Sequence, residues 1–349
     1  MKKIKYLFIT LLIICCCIYA FFHIKIKKDT SAISPNAVTT NTTLKANKVS
    51  NEDIAVVLKD LDTNNQSSYS KGKGLRKFPY PYNSMLAISS DIDDTTLEEF
   101  ETYHKFLNTK EQTSYGQGIG LDIGDSMWLF MADDSKSQVD KYGNGVEKIM
   151  TFYKGTDITQ KHNKDEMIRY INAGWIDSLH TIGDFSTDNE KNTVFNRKLA
   201  ADAWNELKAV NIKPTVWINH GNRANTQNFG GYGIARFMNY QQGDNPKSLY
   251  YHTDLTIENG IKYVWNSLSD DKFGQDYPLY EIKLRDGKKV WGFNRYTNNM
   301  VNGKEEWTWN TKDVYRQLTQ VNLDNLVKRK QYSIVTQHLG AGAEELFSQ

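Results

Sequence analysis

Short apolar runs, each leading into a cluster of polar residues, recur along this chain and limit what it can fold into. Met85-Leu86-Ala87-Ile88 leads to Asp91-Ile92-Asp93-Asp94, Trp175-Ile176-Asp177-Ser178-Leu179 leads to His180-Thr181-Ile182-Gly183-Asp184, and Ser333-Ile334-Val335-Thr336 leads to His338. Runs this brief and rich in branched residues suit strands buried on both faces of a parallel sheet. The expected strands are Ser84–Ser90, Gly120–Phe130, the run reaching His180, Thr215–Asn219, Tyr263–Trp265 and the run reaching His338, with a hairpin centred on Asp286-Gly287. Thr95–Leu107, Asp165–Asn172, Val194–Val210 and Asp324–Lys330 read as helices between them. Thr95 or Thr96 caps the first, with Glu98 and Glu99 in its opening turn, and Gly174 ends the second. This alternation predicts an α/β fold built on a parallel sheet or barrel.

In such folds chemistry collects where the strands end. Asp91 and Asp93 share one side of an extended chain, so both can face one site, while Asp94 is placed to cap the following helix. Three carboxylates so close repel one another unless a cation or donors offset them. His180 and Asp184, four apart, can both reach a metal from a strand-to-loop turn. Carboxylates and imidazoles gathered in this way can hold one divalent ion and supply an acid and a base. Asn219-His220-Gly221-Asn222-Arg223 follows another apolar strand, and Gly221 permits close backbone approach to a ligand. With His252 of His252-Thr253-Asp254, the residues Asn219, His220 and Arg223 are candidate substrate contacts. Gly116-Gln117-Gly118-Ile119-Gly120 lacks the Lys-Ser/Thr of a nucleotide loop and precedes a strand, so it is not read as one. No Gly-x-Ser-x-Gly elbow is present, which disfavours a serine hydrolase of that type.

A net charge of +2 argues against a dedicated nucleic-acid surface. The three cysteines, Cys15, Cys16 and Cys17, lie in one apolar segment, so a metal elsewhere must use His, Asp or Glu. That segment, Tyr6–Phe22, has Lys2, Lys3 and Lys5 before it and Lys25, Lys27 and Lys28 after it. It approaches the ~20 residues of a membrane span and lacks a small-residue cleavage site, which predicts an uncleaved signal anchor over residues 1–28. Residues 29–75 read as a polar, flexible tether, with a short helix at Asn51–Leu61, and residues 76–349 as the catalytic domain. The expected location is the cell membrane, single-pass, with the domain outside the cytoplasm.

The ordered motifs Ser89-Ser90-Asp91-Ile92-Asp93-Asp94, His180-Thr181-Ile182-Gly183-Asp184 and Ile334-Val335-Thr336-Gln337-His338 resemble those of the polysaccharide deacetylases with a NodB-homology domain, a carbohydrate esterase family. The resemblance spans about residues 78–340. It implies a distorted (β/α) barrel of the deacetylase type, with insertions near 110–160 and 225–310 that shape the cleft. It implies one divalent metal, Zn²⁺ above others, held by Asp93 (or Asp94), His180 and Asp184. Asp91 would be the general base and His338 the general acid in removing acetyl groups from a polysaccharide or cell-envelope glycan. Two features depart from the family pattern. Asp184 stands where a second histidine ligand is usual, and the Arg-x-Pro-Tyr loop is missing, with Asn219–Arg223 in its approximate place. Two other readings are a glycosidase on a related barrel and a glycan-binding protein without catalysis.

Overall fold

Successive residues of the central strands alternate between two apolar clusters, one on each face of the sheet. Trp217 and Val264 belong to the large cluster under the helices, while their neighbours Ile218 and Trp265 join Phe293 in a smaller one. The computed structural model describes residues 76–133, 146–233, 240–267, 272–301, 304–307 and 311–340. The expected anchor, tether and Asn51–Leu61 helix lie outside these residues. Among the described residues no helix is long and apolar enough to cross a membrane.

The fold is mixed α/β around an eight-stranded, mostly parallel sheet. Its strands are β1 (Met85–Ser90), β2 (Gly124–Met127), β3 (Ile176–Leu179), β4 (Val216–Ile218), β5 (Tyr263–Trp265), β6 (Tyr280–Lys283), β7 (Lys289–Gly292) and β8 (Tyr332–Gln337). They lie in the order β6-β7-β5-β4-β3-β2-β1-β8, and every pair is parallel except the β6–β7 hairpin. Gly287 turns that hairpin with φ near 83°, a conformation favoured by glycine. Past β7 the chain runs on to Tyr296, which bridges Val335 of β8 in parallel. The first and last strands pair from Met85↔Tyr332 to Ser90↔Gln337.

The helices begin where the sequence supplies caps. Helix α1 (Leu97–Asn108) opens with a capping box in which the Thr96 hydroxyl accepts from the Glu99 amide and Glu99 accepts from the Thr96 amide. Phe100, Tyr103, His104 and Leu107 then fall on one buried face at helical spacing. Helix α2 (Lys164–Asn172) ends near Gly174, which has φ near 78°. Asn196 caps α3 (Arg197–Ala209), and Trp204 Nε1 donates to Thr256 Oγ1 at 3.1 Å, tying α3 to the short α4 (Thr253–Glu258). Helix α5 (Gln320–Arg329) starts four residues before the expected Asp324, because Thr319 caps it there.

The strand expected within Gly120–Phe130 is β2, and a further short strand begins at Phe130. After β2 the chain turns, and Phe130–Met131 pairs in parallel with Gly183–Asp184 in a separate ribbon. This ribbon holds down the loop between His180 and Asp184. The glycine loop at Gly116–Gln117 is half of a small antiparallel pair with Gln112–Thr113. Gly183 is required by close approach, since a Cβ there would lie 2.5 Å from the Phe130 carbonyl oxygen and 2.8 Å from its Cβ. Gly183→Ala should therefore destabilise the protein by about 1–3 kcal/mol, the scale of overpacking. A chemical-denaturation midpoint unchanged from wild type would show that the ribbon can spread.

Candidate metal and catalytic centre

Asp91, Asp93, His180, His220 and His338 meet beyond the C-terminal ends of β1, β3, β4 and β8. Backbone pairing sets the frame: Asp91 N–H donates to Gln337 O, His180 N–H to Met127 O and Asn219 N–H to Trp265 O. Each of the first three clusters then turns sharply away from its strand. Asp94, Thr181 and Asn222 all have left-handed φ, near 54°, 60° and 69°. Asp and Asn tolerate that region, but Thr181 is β-branched, and strain of this kind persists where the surroundings enforce it.

Asp93 is the hub. Its Oδ1 lies 2.8 Å from His220 Nε2, and its Oδ2 lies 3.6 Å from both His180 Nε2 and His338 Nε2. Asp93 Oδ2 and His180 Nε2 are buried and have no hydrogen-bond partner, although they face each other. Burial favours a neutral Asp93, but the surrounding histidines outweigh it and hold the carboxyl well below its ordinary range. Asp93, His180 and His220 bring one ligand atom each within 4.8 Å of one another, as do Asp91, Asp93 and His338. The second grouping is less suited to a cation, because Arg295 already holds both oxygens of Asp91, at 2.8 and 2.9 Å. One carboxylate and two imidazoles are donors that suit Zn²⁺ and similar divalent ions.

Asp91 is buried in this ion pair, and its Oδ1 is also 3.4 Å from His180 Nδ1. Burial alone would raise its pKa; the charges of Arg295 and His180 reverse that and leave it far below the usual carboxylate range. Arg295 itself lies over the Trp265 ring, 3.8 Å from its centroid. Ser126 Oγ accepts from the Ile92 amide at 3.0 Å and lies 3.3 Å from His180 Nδ1, linking β2 to both neighbours. Trp128 stands edge-on to the rings of His180 and His220, with centroids 5.3 and 5.2 Å away.

The other sequence candidates fall into different places. Asp94 is in neither potential metal grouping, whereas Asp93 is in both. Asp184 is also in neither. It is buried against His220, with Oδ1 3.5 Å from His220 Nδ1, and takes hydrogen bonds from the amide and hydroxyl of Ser186. His220, expected at the substrate, sits among the ligand candidates. Burial would lower its pKa, but Asp184 and Asp93 prevail and push it up to about 9. Asn219 and His252 are packing residues. Asn219 bonds Trp217 Nε1 and the Phe229 carbonyl, while His252 bonds Thr256 and the Gln227 carbonyl. Burial keeps His252 low, at about 4, which matches its neutral role. Arg223 is exposed in the loop after β4.

Sequence reading missed Arg295 and Asp125. Arg295 lies 204 residues from Asp91 with no local motif around it. Asp125, in the unusual Asp122-Ile123-Gly124-Asp125 stretch, is fully buried beneath the centre and accepts from Tyr103 Oη. Burial, aided by the Asp91 charge, raises its pKa well above the ordinary value.

Comparison with known proteins finds no family model, no curated protein and no solved structure that matches this chain.

Removing Arg295 isolates a buried carboxylate, a change that typically costs about 3–5 kcal/mol. The loss should depend on pH. The depressed pKa of Asp91 adds stability above its unfolded value near 3.8, and that stability fades as pH falls. In Arg295→Ala the pKa of Asp91 rises, so the folded variant takes up its proton sooner and the deficit narrows toward about pH 4. Denaturation of chelator-treated protein at several pH values measures this. A deficit that is constant with pH would mean that Arg295 acts through packing on Trp265 instead.

Proposed function

We propose that this chain is a metal-dependent hydrolase that removes acetyl groups from a polysaccharide or other cell-envelope glycan, attached to the membrane through its N-terminal apolar segment. The reading rests on one observation above others: Asp93 Oδ2 and His180 Nε2, buried and unpartnered, face each other at the ends of parallel strands with His220 and His338 beside them. It is supported by the resemblance of the three ordered motifs to the polysaccharide deacetylases. The parallel strands and the Tyr296–Val335 bridge agree with a distorted (β/α) barrel of that type, since the bridge links the run after β7 back to β8.

Asp93, His180 and His220 are the residues that would hold the ion, with Zn²⁺ the first choice for this donor set. Bound there, such an ion lowers the pKa of a water and polarises an acyl carbonyl. Asp91 takes the proton of the attacking water; Arg295 keeps it ionised and fixes its orientation. His338, on the β8 side of Asp93, gives a proton to the departing sugar nitrogen or oxygen. The water oxygen bonds to the carbonyl carbon as the bond from that carbon to the sugar atom breaks, releasing acetate. Trp128 walls both imidazoles and limits their rotation.

The test pairs metal content with acetate release from acetylated glycans. His180→Ala should lose most of its bound metal while keeping its fold, because ligands beyond strand ends are not core packing. Asp91→Asn and His338→Ala should keep the metal and lose about 10²–10⁴-fold in turnover, the usual scale for positioned proton transfer. Wild-type rates in both variants would sink the assignment of base and acid. Chain cleavage that survives EDTA would point to a glycosidase, and glycan binding without turnover to a binding protein.

A further inference from the structure

We infer that the glycan taken by this centre is anionic: the tip of the loop after β4, with the Arg223 guanidinium and the amides of Gly221, Asn222 and Arg223, receives a carboxylate or phosphate group carried by the polymer beside the reacting sugar. This rests on the glycan-hydrolase reading above and deepens it by naming the charge of the substrate.

Residues 220–228 leave β4 as one fastened loop. The His220 amide donates to Asn228 Oδ1 at 3.1 Å, the Ala224 amide to Asn222 Oδ1 at 2.9 Å and the Asn225 amide to Asn222 O at 3.1 Å. Asn225 and Asn228 are fully buried, while Asn222 and Arg223 form an exposed tip. Asn222 turns the chain with φ near 69°. Three successive amides, those of Gly221, Asn222 and Arg223, have no hydrogen-bond partner among the described residues. Successive unpaired amides in a turn make a concavity that suits an anion. A Cβ at Gly221 would meet nothing within 4 Å, so the backbone there faces open space.

The Arg223 side chain is also without a hydrogen bond or ion pair among the described residues. Arginines elsewhere are claimed by carboxylates: Arg197 by Asp254, Arg285 by Asp244 and Arg295 by Asp91. Arg223 pairs with none, although the adjoining centre holds three. Its charge acts on the side of the loop nearest the centre. Burial pushes the Tyr240 hydroxyl above its ordinary pKa and the Arg223 charge opposes that push, while Tyr240 Oη lies 3.4 Å from His220 O. A guanidinium is a planar fork that matches carboxylate and phosphate. Two sets of donors, one on a side chain and one on the backbone, thus adjoin His220 with no acceptor in the protein. A neutral hydroxyl gains little from a full charge there; an anion gains charge-assisted bonds. An acidic polymer is repelled by the buried carboxylates of the centre, and a cation at the rim offsets that repulsion.

Calorimetric binding of matched probes to full-length protein tests this without reference to turnover. The probes are oligosaccharides of alternating N-acetylglucosamine and glucuronic acid, the same oligosaccharides after carboxyl reduction, and N-acetylglucosamine oligosaccharides with and without phosphate substituents. Wild type should bind an acidic probe about tenfold more tightly than its neutral counterpart, the scale of hydrogen bonds to a charged group. The preference should shrink as salt rises. The acidic probe that is preferred tells carboxylate from phosphate. Arg223→Gln should bring the acidic-to-neutral ratio close to one. Arg223→Lys should lie between, since an ammonium keeps the charge without the fork. Comparing two probes on one variant cancels any general loss of folded protein. The inference is overturned if wild type binds neither acidic probe more tightly than its counterpart, or if Arg223→Gln keeps the preference. Acidic preference without acetate release from any probe would overturn the deacetylase reading and leave the anion site standing. Acetate release with equal binding of acidic and neutral probes would overturn the anion site alone.

Discussion

Parallel pairing of the first and last strands is the constraint on which the rest of the centre depends. β1 and β8 are joined over six residue pairs, although the partners are 247 residues apart in the chain. Ser89 and Thr336 hydroxyls bond across the pair at 2.7 Å, and the Asp91 amide donates to Gln337 O at 3.1 Å, so the ladder continues to the threshold of the site. Leu339 N–H then donates to Ser90 Oγ at 3.1 Å. Asp91, Asp93 and His338 are therefore aligned by backbone hydrogen bonds, with no need for their own side chains to find each other. Pairing between strands so distant carries a loop-closure cost that the contacts made must offset. The centre therefore depends on contacts that span nearly the whole of the described domain.

The α/β class, the parallel pairing and most strand positions were legible in the sequence, because a buried parallel strand leaves a dense apolar run whatever its neighbours. The start of α1 was legible to within one residue, Thr95 or Thr96, since a cap makes its contacts locally; the structure places it at Thr96. What escaped was set by distance. The short strands 130–131 and 183–184 have too few residues to show a period, and they exist because Gly183 lets two backbones approach. His252 reads like His220 in the sequence, since each lies within two residues of an apolar or aromatic run, Tyr250-Tyr251 and Val216-Trp217-Ile218. Only packing separates them: one is enclosed by Trp217, Phe229 and Phe195, and the other opens onto Asp93. Arg295 was invisible because a lone arginine carries no sign of the carboxylate it will meet.

Asp184 was expected as a ligand, and it lies outside both groupings that could hold an ion. Spacing of four residues after a strand suggests two ligands on one turn, but the intervening Thr181 takes a left-handed conformation and Gly183 enters a new ribbon. Asp184 is thereby drawn behind the centre instead of into it. The strand-end register of β4 puts His220 in the space that results, and the Asn225–Ser186 contacts close it from behind.

The charges of the centre form one connected balance. Asp91, Asp93 and Asp184 contribute three formal negative charges within a small buried volume, and Arg295 returns one. A fourth carboxylate, Asp125, lies beneath; burial and the Asp91 charge raise its pKa well above the ordinary value, which favours its uncharged form. His220, lifted to about 9 by Asp184 and Asp93, adds a positive charge at neutral pH. With Arg295, it offsets charge that the three buried carboxylates would otherwise hold against one another. Asp184 thus acts on the centre through its charge: its buried carboxylate stands 3.5 Å from His220 Nδ1, and with Asp93 it favours the protonated ring.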